Sequence, residues 1–449
     1  MTPVFPFTES RPVRFSGALP ARVDVTVIGG GIAGVMTAWF LRQKGLSVLL
    51  CEKGRIAAEQ SSRNWGWIRQ QGRDPGELPI MIESLAIWKS LAAELGEALG
   101  FQQTGVMYLG DTAKDMDSFE AWMEHARAHQ LDSRMMTAAE VSGMLKDSAK
   151  PWKGAIFTAS DCRAEPWVAV PLLAAAAEER GVILRENCAV RALDLAAGRV
   201  AGVVTERGRV ACDQVVVAAG AWSRLFLGRE GVKIPQLSVL SSVCATTPMP
   251  EIYPGAAADG QIAFRRRADG GYTLAPGGSE HDFFIGPDAF ASMFKFLPVL
   301  KNDFRATTFR MAAPQGYPDA WSTKRRWKAD EVSPFETCRI LNPKPSQKAL
   351  DRLLTGFAAA FPGLGRPKLQ ASWAGMIDTM PDVVPVLDHA PIPGLTIATG
   401  LSGHGFGIGP GIGRVVADLV TGGPVGHDLS RFRFSRFNDG SKIAPGPSL

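Results

Sequence analysis

Between Asp24 and Lys53 the chain reads DVTVIGGGIAGVMTAWFLRQKGLSVLLCEK, and this stretch leaves few folds open. A short apolar run, Val25-Thr26-Val27-Ile28, predicts a buried strand. Gly29-Gly30-Gly31 follow, then a helix over 33–44, a second buried strand over 46–51, and Glu52 at its end. Gly29, Gly31 and Gly34 make G-x-G-x-x-G: the first permits the tight turn, the second lets a pyrophosphate approach the backbone, and the third lets helix and strand pack closely. The helix start, at Ile32 and Ala33, offers free N–H groups and a partial positive charge to phosphates. Glu52 lies 18 residues past Gly34, where a carboxylate accepts both hydroxyls of a ribose. A glycine-rich turn without a ligand would need none of these flanking features, so the unit predicts dinucleotide binding.

A chain of 449 residues at this apolar content buries a large core, and its length predicts two or three domains. The net charge is +5, but Lys and Arg are spread out, and Arg265-Arg266-Arg267 and Lys324-Arg325-Arg326 are the only short basic runs. That pattern predicts solvated faces, not a nucleic-acid partner. Six cysteines are scattered without C-x-x-C, which predicts reduced, mostly buried thiols and a cytoplasmic setting. Six dispersed histidines give no support for a metal site. Residues 1–19, rich in Pro and Arg, predict an irregular arm with no apolar leader. The apolar run 25–41 approaches membrane length, but its glycine triplet favours strand and turn, so no integral membrane segment is expected.

Further along, Trp65-Gly66-Trp67 precede Ile68 and Arg69; the indoles either wall a flat cofactor or anchor the core. A helix is predicted over 83–99, a strand over 101–109, and helices over 114–130 and 137–145, the last with a Thr137/Glu140 capping box. The strand over 213–219 ends in Gly220-Ala221-Trp222-Ser223, as expected of a parallel strand that meets a cofactor. From 231 to 344 short alternating runs predict a second, antiparallel sheet, in which Ala263, Arg265 and Arg267 share one face. Helices are expected there over 287–299 and 346–361. A strand over 394–399 then opens into a glycine loop, 400–413, whose N–H groups face a ligand, before a helix over 414–420.

Three stretches carry a resemblance: Gly29 to Glu52, Val215-Val216-Val217-Ala218-Ala219-Gly220-Ala221-Trp222-Ser223, and Ser372-Trp373-Ala374-Gly375 with Gly400-Leu401-Ser402-Gly403-His404-Gly405-Phe406. Through them the chain resembles the glycine/sarcosine/D-amino-acid oxidase family of flavoproteins over nearly its full length. The resemblance implies an α/β fold, α+β overall: a Rossmann-like FAD-binding domain (20–90, 155–230 and 345–449) and a discontinuous substrate domain on an antiparallel sheet (91–154 and 231–344). It implies FAD contacts from Gly29, Gly31, Gly34 and Glu52; from Ser61 and Ser62; from Val190; from Gly220 and Trp222; and from Gly403, His404, Gly405 and Phe406. Ile32, Ala33, Lys53, Arg63, Asn64, Trp65, Gly66, Trp67, Ala219, Gly375 and Gly407 complete the expected cofactor set.

Two departures from the family stand out. Gly375 occupies the position of the cysteine that holds FAD covalently in sarcosine-oxidase-like members, so non-covalent FAD is expected. Met376-Ile377-Asp378 and Gly407 replace the arginine and lysine that hold the substrate carboxylate in some relatives. Arginine suits a carboxylate, so Arg265, then Arg267 and Arg69, are the candidate anchors, and His281 and His404 are possible neighbours of the amine. The activity expected is oxidation of an amino acid C–N bond. The substrate expected is a secondary amine such as an N-substituted glycine, sarcosine-like or iminodiacetate-like, with hydride transfer to flavin N5, imine hydrolysis, and O2 or a quinone or other electron carrier as acceptor. The alternative is a flavin-binding subunit of a heteromeric dehydrogenase.

Overall fold

Val25–Ile28 lies at the centre of a six-stranded sheet in a computed structural model that describes residues 5–278, 281–303 and 307–446. The strand order is Val386–His389, Leu395–Thr399, Gln214–Val217, Val25–Ile28, Val48–Cys51, Ile183–Arg185. All neighbours are parallel except Val386–His389, which runs antiparallel at one edge. The central strands are buried throughout, which is why they read as unbroken Val, Ile and Leu and not as alternation. The strands at 25–28 and 395–399 run directly into Gly29 and Gly400, and the strand at 214–217 reaches Gly220 after two alanines, so three turns open on one sheet edge.

The Ile32–Gln43 helix crosses this sheet and packs against the Gly405–Thr421 helix. Here the structure corrects the expected glycine loop over 400–413, because helix begins at Gly405. Glycine costs a helix about 1 kcal/mol per residue, and close packing is what offsets it. A Cβ on Gly409 would fall 2.5 Å from Ile32 Cγ1, one on Gly413 2.5 Å from the Met36 carbonyl carbon, and one on Gly411 2.6 Å from the Ile80 carbonyl oxygen. The glycines thus let three helices approach, and only the first turn of the Gly405–Thr421 helix keeps N–H groups to offer.

A ten-stranded sheet forms the second layer, with Leu237–Thr246 paired along nearly its whole length to Leu369–Thr379. Gly154–Thr158 pairs with Val106–Gly110 in the same sheet. The expected segment boundaries therefore shift: 154–158 and 369–379 belong to this sheet, and the Gln347–Ala360 helix packs on it through Leu350, Leu353 and Phe357. The expected strand over 101–109 is broken at Gly105, whose φ of +75° interrupts the ladder. The N-terminal arm is irregular but packed, with Phe7 and Phe15 buried in the core beside the first helix.

Candidate active site

A cavity of about 560 Å³ runs from the three glycine turns to the face of the second sheet. At its first end Glu52 is wedged by backbone: Oε2 accepts from Gly30 N (2.8 Å) and Oε1 from Gly54 N (2.7 Å). Burial pushes its carboxyl up to about 7, opposed by Lys53 and these two amides. Ser61, far off in sequence, reaches back so that its Oγ accepts from Ile32 N at 2.9 Å. Gly31 is closely approached: a Cβ there would lie 3.0 Å from Ser61 Oγ, so the serine would have to shift. Gly29 sits at φ +112°, and a Cβ there would strike the Ala218 carbonyl at 2.4 Å. A bare backbone cradle, a helix start and a carboxylate one strand away fit the diphosphate and ribose of FAD.

Further in, Lys53 Nζ pairs with Glu59 Oε1 at 2.7 Å and stands 4.3 Å from the centre of the Trp222 ring. Trp222 Nε1 donates to the same Glu59 carboxylate at 3.1 Å. Arg63 anchors the loop, donating to the Ala58 and Ala374 carbonyls. Asn64 Oδ1 accepts from Gly66 N at 2.8 Å. Val190, Ala219, Gly220, Gly375, Gly403, His404, Gly405 and Phe406 join Gly29, Gly31, Ile32, Ala33, Lys53, Trp65 and Trp67 on the cavity wall. Four members of the expected cofactor set do not line it. Gly34 and Gly407 are helix-packing positions, Ser62 is fully buried, and Gly66 forms the socket of Arg265.

Arg265 and Arg267 are the main correction. Both side chains are buried and away from the cavity wall. Arg265 Nη1 and Nη2 each lie 2.9 Å from an oxygen of Glu165, and Arg267 Nη2 lies 2.6 Å from Asp269 Oδ2. A guanidinium with a bidentate carboxylate partner has no fork left for a substrate. Arg69 and His281 do line the cavity. Arg69 stands 5.3 Å from the Tyr108 ring centre and donates to the Gln71 carbonyl.

Beside Arg69 is a cluster that the sequence reading missed. Arg73 is buried, lines the cavity and has no partner for Nη1 among the described residues. Burial and the neighbouring Arg69 pull its pKa down to about 10. Glu77 is buried without a hydrogen bond to either oxygen, and His404 Nδ1 stands 3.4 Å from its Oε2. Burial works against the Glu77 charge, but His404, Arg73 and Arg69 outweigh it and hold the carboxyl below its usual range. Burial, helped by Arg73, lowers His404 from its ordinary value, against the opposing pull of Glu77. Arg69, Arg73 and Glu77 follow at four-residue intervals, a spacing visible in the sequence but without the strand-and-glycine context that drew attention elsewhere. Tyr108 stands beside Arg69 and packs against Trp67 and, through it, Trp65, while Val239, Phe283 and Phe296 give the same cavity a second apolar stretch of wall.

Residues 24–419 match the family model of FAD dependent oxidoreductases, DAO. The chain is 24% identical to the sarcosine oxidase subunit beta of Rhizobium meliloti, over 94% of this chain and 89% of that one. It is 29% identical to the glycine oxidase of Pseudomonas putida over 66% of this chain and 84% of that one. Among solved structures, the L-amino acid deaminase from Proteus myxofaciens, in complex with anthranilate, aligns with a TM-score of 0.89 at 31% identity, covering 95% of this chain and 96% of that chain. No helix among the described residues is long and apolar enough to cross a membrane. From the glycine cradle through to the helix that closes the cavity, this chain belongs to the DAO family of FAD-dependent oxidoreductases and is an FAD-dependent enzyme of amino acid or amine C–N oxidation.

Proposed function

We propose that the enzyme oxidises the C–N bond of an amino acid whose carboxylate is held by Arg69 and Arg73 and whose substituent lies against the apolar wall. The observation that carries this reading is Arg73, a buried guanidinium on the cavity wall with an unpartnered Nη1. A buried donor of this kind is costly unless a ligand or water completes it. Glu77 offsets part of the positive charge, and the aromatic and aliphatic wall excludes water from the reacting end. FAD, when bound, supplies the two-electron acceptor. The residues given to it are the Gly29–Gly31 turn for diphosphate, Glu52 for ribose, and the first turn of the Gly405–Thr421 helix for its ring end. Cys51, at the Glu52 end, is the one thiol among the cavity-lining residues, so the reading includes FAD bound without a thioether link.

N-substituted glycines remain within this reading through the likeness to a sarcosine oxidase subunit; primary amino acids with bulky apolar side chains enter through the deaminase likeness and the apolar wall. The imine product hydrolyses to a carbonyl compound and an amine or ammonia. The acceptor is O2 or a quinone-type carrier, and the setting is cytoplasmic. A second reading, a catalytic subunit that works in a heteromeric complex, rests on the similarity to a subunit named beta over nearly the whole chain. Anaerobic bleaching of the bound flavin across primary, N-methyl and N-carboxymethyl amino acids tests the proposal. Apolar amino acids are expected to bleach it, and amines lacking the carboxylate are not. If no amino acid bleaches the flavin, the reading is wrong.

A further inference from the structure

Glu77 stands at the N-cap of the Leu78–Leu95 helix and yet caps nothing: its side chain makes no hydrogen bond to the helix, and neither oxygen has a hydrogen-bond partner among the described residues. The side chain is buried. A carboxylate held in that state is costly unless a charged group faces it. His404 is that group. It stands at the N-cap of the Gly405–Thr421 helix, with Nδ1 3.4 Å from Glu77 Oε2, and Nδ1 too is buried and without a hydrogen bond among the described residues. The His404 side chain keeps 20% of its surface exposed and lines the cavity. With Nδ1 buried, that exposure belongs to the rest of the ring, so the imidazole lies between the carboxylate and the cavity. An ionised carboxylate facing Nδ1 favours the tautomer that carries its proton there and leaves the lone pair on Nε2.

The charged groups that act on His404 are Glu77, at the start of one helix, and Arg73 and Arg69, in the loop before it. Arg73 is a direct neighbour, its Nη2 lying 3.5 Å from the His404 carbonyl. Asp161 and Tyr108 act on Arg73, further from the ring. Around the ring, two guanidiniums against one carboxylate leave a positive excess, which disfavours a proton on the imidazole. A substrate carboxylate cancels that excess. The amine of an amino acid is one carbon from its carboxylate, so anchoring at Arg73 sets it within reach of the imidazole. Oxidation needs that amine neutral, because an ammonium has no lone pair to form the C=N bond as the α-C–H bond breaks.

We propose that Glu77 and His404 form a proton-accepting dyad: the ammonium of the bound amino acid gives one proton to His404 Nε2, its N–H bond breaking as the new one forms, while Glu77 stays ionised and holds the imidazolium. Glu77 is a positioning residue, because it acts through His404. The proton passes to solvent when the product leaves and the positive excess returns. The dyad rests on the carboxylate site at Arg69 and Arg73.

Phenylacetate, a carboxylate with an apolar ring and no basic amine, tests the dyad and that site separately. Titration calorimetry of the FAD-loaded enzyme, in buffers of different ionisation enthalpy, reads both binding and proton uptake. About half a proton or more is expected to be taken up per ligand bound near neutral pH. Binding with less than about one-tenth of a proton would overturn the dyad and leave the carboxylate site standing, whereas no binding would overturn both. Glu77→Gln and His404→Gln are each expected to bind phenylacetate and lose the uptake. Retained flavin absorbance verifies that each variant is folded. Glu77 is not among the cavity-lining residues, so Glu77→Gln reads the dyad even where His404→Gln loses flavin. With an amino acid substrate, kcat of the variants is expected to fall at least about tenfold near neutral pH, with a smaller change in KM. The deficit is expected to shrink as pH rises toward the pKa of the substrate ammonium, because an amine already neutral in solution needs no acceptor. A deficit equal at every pH, or proton uptake that survives in Glu77→Gln, would overturn the proposal.

Discussion

Arg265 and Glu165 form a bidentate ion pair across one hundred residues of sequence, with two N–O distances of 2.9 Å and both side chains almost fully buried. Ala268 N adds a third hydrogen bond to the same carboxylate, at 2.9 Å. The pair joins a strand of the large sheet to the start of the Pro166–Glu179 helix and leaves Arg265 no role at the substrate.

Breaking that pair tests the assignment. Arg265→Ala leaves the buried Glu165 carboxylate with only the longer contact to Arg163 (3.6 Å) and the Ala268 amide, and is expected to destabilise the fold by about 3 kcal/mol. Replacing both partners, Arg265→Met with Glu165→Leu, is expected to recover much of that loss. Thermal unfolding of the two variants reads the difference, and an Arg265→Ala enzyme of normal stability with a raised KM would restore Arg265 to the site.

Arg69 behaves otherwise. Arg69→Ala is expected to lower kcat/KM for carboxylate-bearing substrates about 10- to 100-fold, the loss of one charge-assisted interaction. Stability should change little, and Arg69→Lys should retain part of the activity. Steady-state kinetics beside thermal unfolding separates the two effects.

Glycine packing in the Gly405–Thr421 helix gives a purely structural expectation. Gly413→Ala drives a methyl group to 2.5 Å from the Met36 backbone, where no side chain can yield. A cost of about 1–3 kcal/mol is expected from overpacking, although alanine is the better helix former. Gly422→Ala, at a left-handed C-cap with open space around it, should destabilise through its backbone alone. Denaturant unfolding checks both.

Asp161 gives a pH dependence. Burial pushes its carboxyl up to about 6, against hydrogen bonds from Gln70 and Gln71. A raised acid is protonated in the folded state while the unfolded chain is already ionised, so folding loses stability as pH rises from about 4 to about 6. The loss is on the order of 3 kcal/mol and is complete above that range. Asp161→Asn removes this titration, and the stability difference between wild type and variant should move by that amount across the window and stay level above it.

Glu52 carries the ribose end. Glu52→Gln keeps the size of the side chain but turns one acceptor into a donor facing the Gly30 or Gly54 amide. Weaker FAD retention is expected, by about tenfold or more, from the lost charge-assisted bonds. Fluorescence of released flavin after gel filtration measures it.

Local order fixed much of this in advance. The 25–52 unit, the 214–217 strand and the 395–399 strand could be read because a buried parallel strand leading into a glycine turn is a pattern of consecutive residues. The Thr137/Glu140 capping box was legible for the same reason, and both of its hydrogen bonds form. The helix from Gly405 was misread because glycine is a poor helix former, and nothing local reveals the partner helices that favour it there.

By itself the sequence determined a βαβ unit with its acid, an antiparallel second sheet, and the family to which both belong. Tertiary structure decided which charges are spent and which are available. Alternation sets Arg265 and Arg267 on one face of a strand, but only the fold supplies Glu165 and Asp269 to neutralise them. It likewise gathers Arg73, Glu77 and His404 from two distant segments. A side chain's type and spacing are local properties, whereas the free energy of its charge depends on what burial and distant chain bring within a few ångströms.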